Sequence, residues 1–265
     1  MNQSMIRRIV RWSAGLGMAG ALFLASGIAE NLTALALPEE EVFKKLEHIP
    51  VFTITDEQGA PLVASAEDEN KLAGVFISPQ DANNFLAQVK NTNPDLADKV
   101  KVVPISLAEV YKLSQSAQSQ QDALNFQYVP EEEAVNSAKT ISEANQEPFP
   151  GGVPLFVARG GEENNYLTVQ PTKDSPQMIP FFFDKQQLEQ LIAQSKKQKP
   201  EVAEQIDIQV VPLEGIIETL KTKEDPAIKN IFIVPTNESL QFVNGSGANI
   251  PPAGEAAPAP VSPEN

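Results

Sequence analysis

The chain has 265 residues and carries 20 Lys and Arg against 35 Asp and Glu, a formal net charge of −15. So acidic a chain cannot neutralise a row of phosphates, which excludes nucleic acid as a partner and disfavours an anionic membrane surface; basic or unfolded polypeptides remain open. With no cysteine there is no disulfide framework, thiolate nucleophile, zinc–thiolate site or lipoprotein anchor.

Arg7, Arg8 and Arg11 precede the stretch SAGLGMAGALFLASGIA, which is too short and too rich in Gly and Ala for a membrane span. Ala34-Leu35-Ala36 then offers an A-x-A cleavage site, with Ala29 as an earlier cut. Residues 1–36 read as a signal peptide and the remainder as an exported, soluble protein, with an uncleaved anchor as the alternative. The only histidine, His48 in KKLEHIPVF, lies where a helix gives way to a first strand. No second histidine or serine-centred elbow accompanies it, so a surface or capping role is expected.

Strands are expected at 50–55, 62–64 and 73–78, the first two joined by the hairpin turn DEQG. A helix over 79–90 places Ala82, Phe85, Leu86 and Val89 at helical spacing. Asn93-Pro94-Asp95 opens a further helical turn. A strand through Val102-Val103-Pro104, a helix over 106–113 and a strand at FQYV follow. The polar stretch SQSAQSQQDALN between them adds no chemistry.

The second half restates this order. IPVFTITD faces VPLFVARG, Phe76 faces Phe182, Ala87-Gln88 face Ala193-Gln194, and Pro94 and Ala97 face Pro200 and Ala203. Val103-Pro104 falls on Val211-Pro212, and Val129-Pro130 on Val234-Pro235. Helices are expected at 184–197 and 213–221. A repeat this long suits a small domain rather than a solenoid unit. The expected fold class is α/β (α+β): two similar, pseudo-two-fold lobes, 37–145 and 146–249, with sheets flanked by helices. One continuous sheet is the alternative. The Pro/Ala-rich tail 250–265 is expected to be disordered.

Catalytic equipment is missing. The clusters Glu39-Glu40-Glu41, Glu67-Asp68-Glu69 and Glu131-Glu132-Glu133 lack the alternation of a calcium loop and read as solvated helix starts. Arg159 beside Gly160-Gly161 could meet an anion, but a Gly-Gly hairpin is the simpler reading. No metal, cofactor or catalytic residue is expected. What remains is apolar surface. In Met178-Ile179-Pro180-Phe181-Phe182-Phe183, Phe181 and Phe183 point one way and Phe182 the other. If helices cover both faces, all three are core. If one face is open, Phe181 and Phe183 line a polypeptide-binding groove. Ile77 is then the counterpart of Phe183, and Phe52 and Phe156 extend the two surfaces, so that an extended client is gripped twice. Both readings want the same residues.

Three features together resemble the Tic twenty-two-kilodalton family, a soluble component of chloroplast protein import with cyanobacterial relatives. They are EEVFKKLEHIPVFTITDEQGAPL, the ends Phe76-Ile77-Ser78 and Phe182-Phe183-Asp184 that feed helices containing FLAQ and LIAQ, and the paired Val-Val-Pro strands. The resemblance implies a butterfly-like, two-lobed α/β fold with apolar pockets and no catalytic residues. It also implies a chaperone-like part in precursor translocation. The bacterial-type signal resembles the cyanobacterial branch, for which the implied role is periplasmic escort of outer-membrane β-barrel precursors to an Omp85-type insertase. A thylakoid-lumen pool is the second location. The expectation is therefore a binder of unfolded precursor polypeptides. A small-ligand or lipid-binding module using the same groove, or an unfamiliar carboxylate enzyme, are the alternatives.

Overall fold

The structure, a computed structural model, describes residues 37–65, 71–117, 124–160, 165–170, 176–198, 206–223, 225–248 and 250. The expected signal peptide, the tail beyond 250 and the Glu67-Asp68-Glu69 cluster lie outside the described residues.

Helix α1 (Glu39–Leu46) begins on three glutamates and ends on Lys44 and Lys45, matching charge to the helix dipole. Strands β1 (Pro50–Asp56), β2 (Val63–Ser65) and β3 (Lys71–Phe76) follow. The third strand stops two residues before the expected end because Ser78 already caps α2 (Pro79–Thr92), its Oγ accepting from Gln80 N at 3.1 Å and Asp81 N at 3.3 Å. The short α3 (Pro94–Ala97), β4 (Val100–Ser106), α4 (Leu107–Ala117), β5 (Leu124–Val129) and α5 (Glu132–Ala144) complete the first half. The second half contains β6 (Pro154–Gly160), β7 (Asn165–Tyr166), β8 (Ile179–Phe182), α6 (Lys185–Gln198), β9 (Asp207–Pro212) and α7 (Leu213–Thr222). A 3₁₀ turn (Pro226–Asn230), β10 (Ile231–Val234) and α8 (Asn237–Ser246) end it.

Two mixed sheets result, one from each half. In the first, β5 lies parallel to β3, β3 antiparallel to β1, and β1 antiparallel to β4, with β2 also on β3. In the second, β10, β8, β6 and β9 repeat that order and those senses, with β7 on β6. Phe52 stands opposite Phe76 as Phe156 stands opposite Phe182.

The two Val-Val-Pro triplets, however, are not equivalent. Pro212 pairs with Pro154, the first residue of β6, whereas Pro104 pairs with Phe52, two residues into β1; Ser106 is the residue opposite Pro50. The backbone agrees: Leu107 N donates to Ile49 O and Leu213 N to Val153 O, both at 2.8 Å. The expected superposition of Val103-Pro104 on Val211-Pro212 is therefore off by two residues. An edge strand tolerates proline at several ladder positions, so the shared tripeptide does not fix a register.

Strand alternation sorts the core. Val51, Val75 and Ile77 from the first half and Leu155, Val157, Ile179, Phe181 and Phe183 from the second join one cluster with α1, α4 and α7. The opposite faces form two further clusters. Phe52, Ile54 and Phe76 lie under Ala82 of α2 and Phe242 of α8; Phe156, Ala158 and Phe182 lie under Leu188 of α6 and Ala138 of α5. The last helix of each half thus covers the other half's sheet. Phe242 meets Phe52 edge-on at 5.2 Å, and Asn145 Nδ2 donates to Ile208 O at 3.1 Å.

Candidate functional site

The five residues expected to line a groove are all buried. Phe52 and Phe156 are 0% exposed and Ile77, Phe181 and Phe183 are 3% exposed. Phe52 and Phe156 sit mid-strand beneath the helix pairs α2/α8 and α6/α5. Ile77 and Phe183 hold the same backbone position, each N–H reaching the carbonyl of the last residue of the neighbouring parallel strand: Val129 O at 3.2 Å and Val234 O at 3.4 Å. Their side chains join the shared core. Because helices cover the faces they occupy, these residues form core rather than the wall of an open groove.

Of the five, Phe181 borders a small cavity. Its apolar wall includes Tyr166, Ile179, Val211, Ile216 and Ile231, and the 3₁₀ turn adds Ile228. The volume is about 30 Å³, room for a water or two or for one small apolar group. Asp225 and Pro226 build the turn: Asp225 Oδ1 accepts from Ala227 N at 2.8 Å, and Ile228 N donates to Asp225 O at 3.0 Å. This cap-then-proline signature is legible in the sequence as Asp-Pro. Nothing in the sequence indicates that Ile228 and Phe181 line one cavity.

Tyr166 reaches the wall from β7, its ring 5.9 Å from that of Phe181. The Arg159 guanidinium lies 5.0 Å over the Tyr166 ring, and both Tyr166 Oη and Arg159 Nη1 donate to Gln209 Oε1 at 3.4 Å. Burial raises the Tyr166 pKa, with Arg159 opposing. Arg159 is thus engaged in the sheet, opposite Tyr166.

Helix α1 holds the turn from the outside. Lys45 Nζ donates to Lys229 O at 2.8 Å and Ile231 O at 3.0 Å, and burial lowers its pKa against the pull of Glu41. His48, expected at the surface or in a cap, is only 8% exposed, which rules out the surface, while its hydrogen bond to the Lys44 backbone in the last turn of α1 fits the cap. Its ring stacks on Phe232 at 4.9 Å and 2°, with Nε2 3.4 Å from Ile233 O. Burial depresses its pKa, so the ring is neutral at neutral pH and suits that apolar seat. Among the described residues, no group of three or more His, Asp or Glu is placed to hold a metal ion. No helix among them is long and apolar enough to cross a membrane.

A family model described as the Tic22-like family matches residues 21–245. Protein TIC 22, chloroplastic, of Pisum sativum is 25% identical over 229 residues, 85% of each chain. Its Arabidopsis thaliana namesake is 25% identical over 200 residues, 75% of this chain and 68% of that one. Of solved structures, Anabaena Tic22 (protein transport) superposes with a TM-score of 0.70 at 23% identity, over 79% of this chain and 97% of that one. Tic22 from Plasmodium falciparum gives 0.63 at 23% identity, over 78% and 99%. At these identities the two structures establish the shared mixed α/β fold.

Proposed function

The chain belongs to the Tic22-like family, and on that premise we propose that it is an exported, soluble, chaperone-like protein-translocation factor. Its clients are unfolded precursor polypeptides, foremost outer-membrane β-barrel precursors carried across the periplasm to an Omp85-type insertase. The thylakoid lumen is a second location. The observation that carries this reading is the family match along residues 21–245, in a family whose Anabaena member is a protein of protein transport. No catalytic step and no cofactor enter it.

The apolar cavity supports the reading and sharpens it. An apolar client side chain reaches Phe181 when the turn carrying Ile228 yields, and Lys45 sets how firmly the turn is held. Phe52, Ile77, Phe156 and Phe183 become client surface only if the covering helices part. The shared strand order of the two sheets supports descent of both halves from one duplicated, pseudo-two-fold unit. A lipid-binding module is less well supported, since a cavity of about 30 Å³ is far below the ~300 Å³ and more that small-molecule sites enclose.

The test dilutes a denatured outer-membrane β-barrel protein into increasing amounts of the purified chain and follows light scattering. Suppression near equimolar ratio is expected. Scattering unchanged at large excess overturns the chaperone reading.

A further inference from the structure

Where the parallel strands β3/β5 and β8/β10 end, four helices begin: α2 after Ser78, α5 after Glu131, α6 after Asp184 and α8 after Thr236. Because α5 and α8 each cross to the other sheet, these four starts meet between the halves. Ser239 Oγ donates to Ile77 O at 3.1 Å, Ser78 Oγ to Glu238 Oε2 at 3.3 Å and Gln186 Nε2 to Glu133 Oε1 at 3.2 Å. All three bonds join one half to the other.

The junction is crowded with carboxylates. Glu131 interacts with Asp81 of α2, Glu133 of its own helix, Asp184 at the start of α6 and Glu238 of α8. Glu132 acts on Asp81 and Glu189 on Asp184. Lys185, which shares a surface groove with Glu132 and Glu133, is itself paired to Glu189 at 2.9 Å. Helix starts favour carboxylates that accept their N–H groups, as Asp184 does from Gln186 N at 2.7 Å. Glu131 accepts none: its side chain makes no cap bond, and its Oε1 is buried without a hydrogen-bond partner. An ionised carboxylate is an acceptor only, whereas its acid form brings a donor into this set of acceptors.

We propose that the junction is a proton-operated latch, in which neutral Glu131 holds the four helix starts and the two sheets together, and ionised Glu131 lets them part. Burial, followed by the four neighbouring carboxylates, pushes the Glu131 pKa up to about 7. That lies above its ordinary value of 4.5, so the closed state binds the proton more tightly than the open one. Closure is therefore favoured as pH falls from about 7 towards 4.5, and its advantage drains away as pH rises through 7. The latch stands whether or not the protein carries polypeptides.

Amide hydrogen exchange of the full chain tests it, read at Val135 N and Leu240 N, which donate to Glu131 O and Thr236 O in the first turns of α5 and α8. After correction for the intrinsic rate, opening should rise by up to about tenfold per pH unit between the two pKa values, 4.5 and about 7, and level off above 7. Glu131→Gln, a neutral isostere, should abolish that rise. Glu238→Gln removes one like charge and should move the levelling-off to lower pH. Opening that stays flat in the wild type as pH rises from about 5 to 7, or an unchanged slope in Glu131→Gln, overturns the latch. If Glu131→Gln fails to fold, a levelling-off pH unmoved in Glu238→Gln overturns it as well.

Discussion

After the edge strand of each sheet a helix starts at the same ladder position, yet the two starts are built from different chemistry. In the first half Ser106 and Glu109 form a reciprocal cap: Glu109 N donates to Ser106 Oγ at 3.1 Å, and Ser106 N to Glu109 Oε2 at 3.3 Å. In the second, Pro212 has neither a donor nor a capping oxygen. There the Glu214 carboxylate accepts from the backbone N–H groups of Glu214 and Val153. Gly152, at φ +84°, leaves it room; a Cβ placed there would lie 2.7 Å from Glu214 Oε2 and push the carboxylate aside. Common strand order with exchanged caps shows that the alternating apolar faces, not the local end chemistry, specify this architecture.

The largest test of that comparison is a buried charge at the paired positions. Phe183→Asp and Ile77→Asp each place a carboxylate in the shared cluster, at an expected cost of several kcal/mol. Circular dichroism should find both variants largely unfolded. A folded Phe183→Asp that has lost client binding would instead restore the groove.

Phe52→Ala and Phe156→Ala come next, at about 3–5 kcal/mol each. Since α5 and α8 cover each other's sheets, urea unfolding should remain a single transition for either variant. Two transitions would mean that the halves are stable separately.

The smallest effect is at the caps. Ser106→Ala should cost about 1 kcal/mol, whereas Pro212→Ala should stay within about 0.5 kcal/mol. Equal losses would show that the two starts are not the alternatives they appear in the bonding.

Much of the fold is legible in the residue pattern. The strands around Phe52, Phe76, Phe156 and Phe182 and the helices after Ser78 and Asp184 follow from period-two and period-3.6 burial, with polar residues at the starts. Helix α8 is less visible: Thr236 caps it through Ser239 N at 3.1 Å, but the apolar residues of ESLQFVNGS are few. The matching Val-Val-Pro triplets mislead because composition repeats more readily than register. The surface reading of His48 misleads because a lone polar ring gives no sign that Phe232 waits to stack on it.

The sequence by itself determined the alternation of apolar faces, the helix starts and the acidic character of the chain, since these depend on neighbours a few residues apart. Only the tertiary structure decided that α5 and α8 exchange sheets, that the aromatic strand is core and that Glu131 sits among carboxylates from three other helix starts. Each of those outcomes joins residues distant in the chain, and burial and charge coupling act through space, where sequence spacing gives no measure of distance.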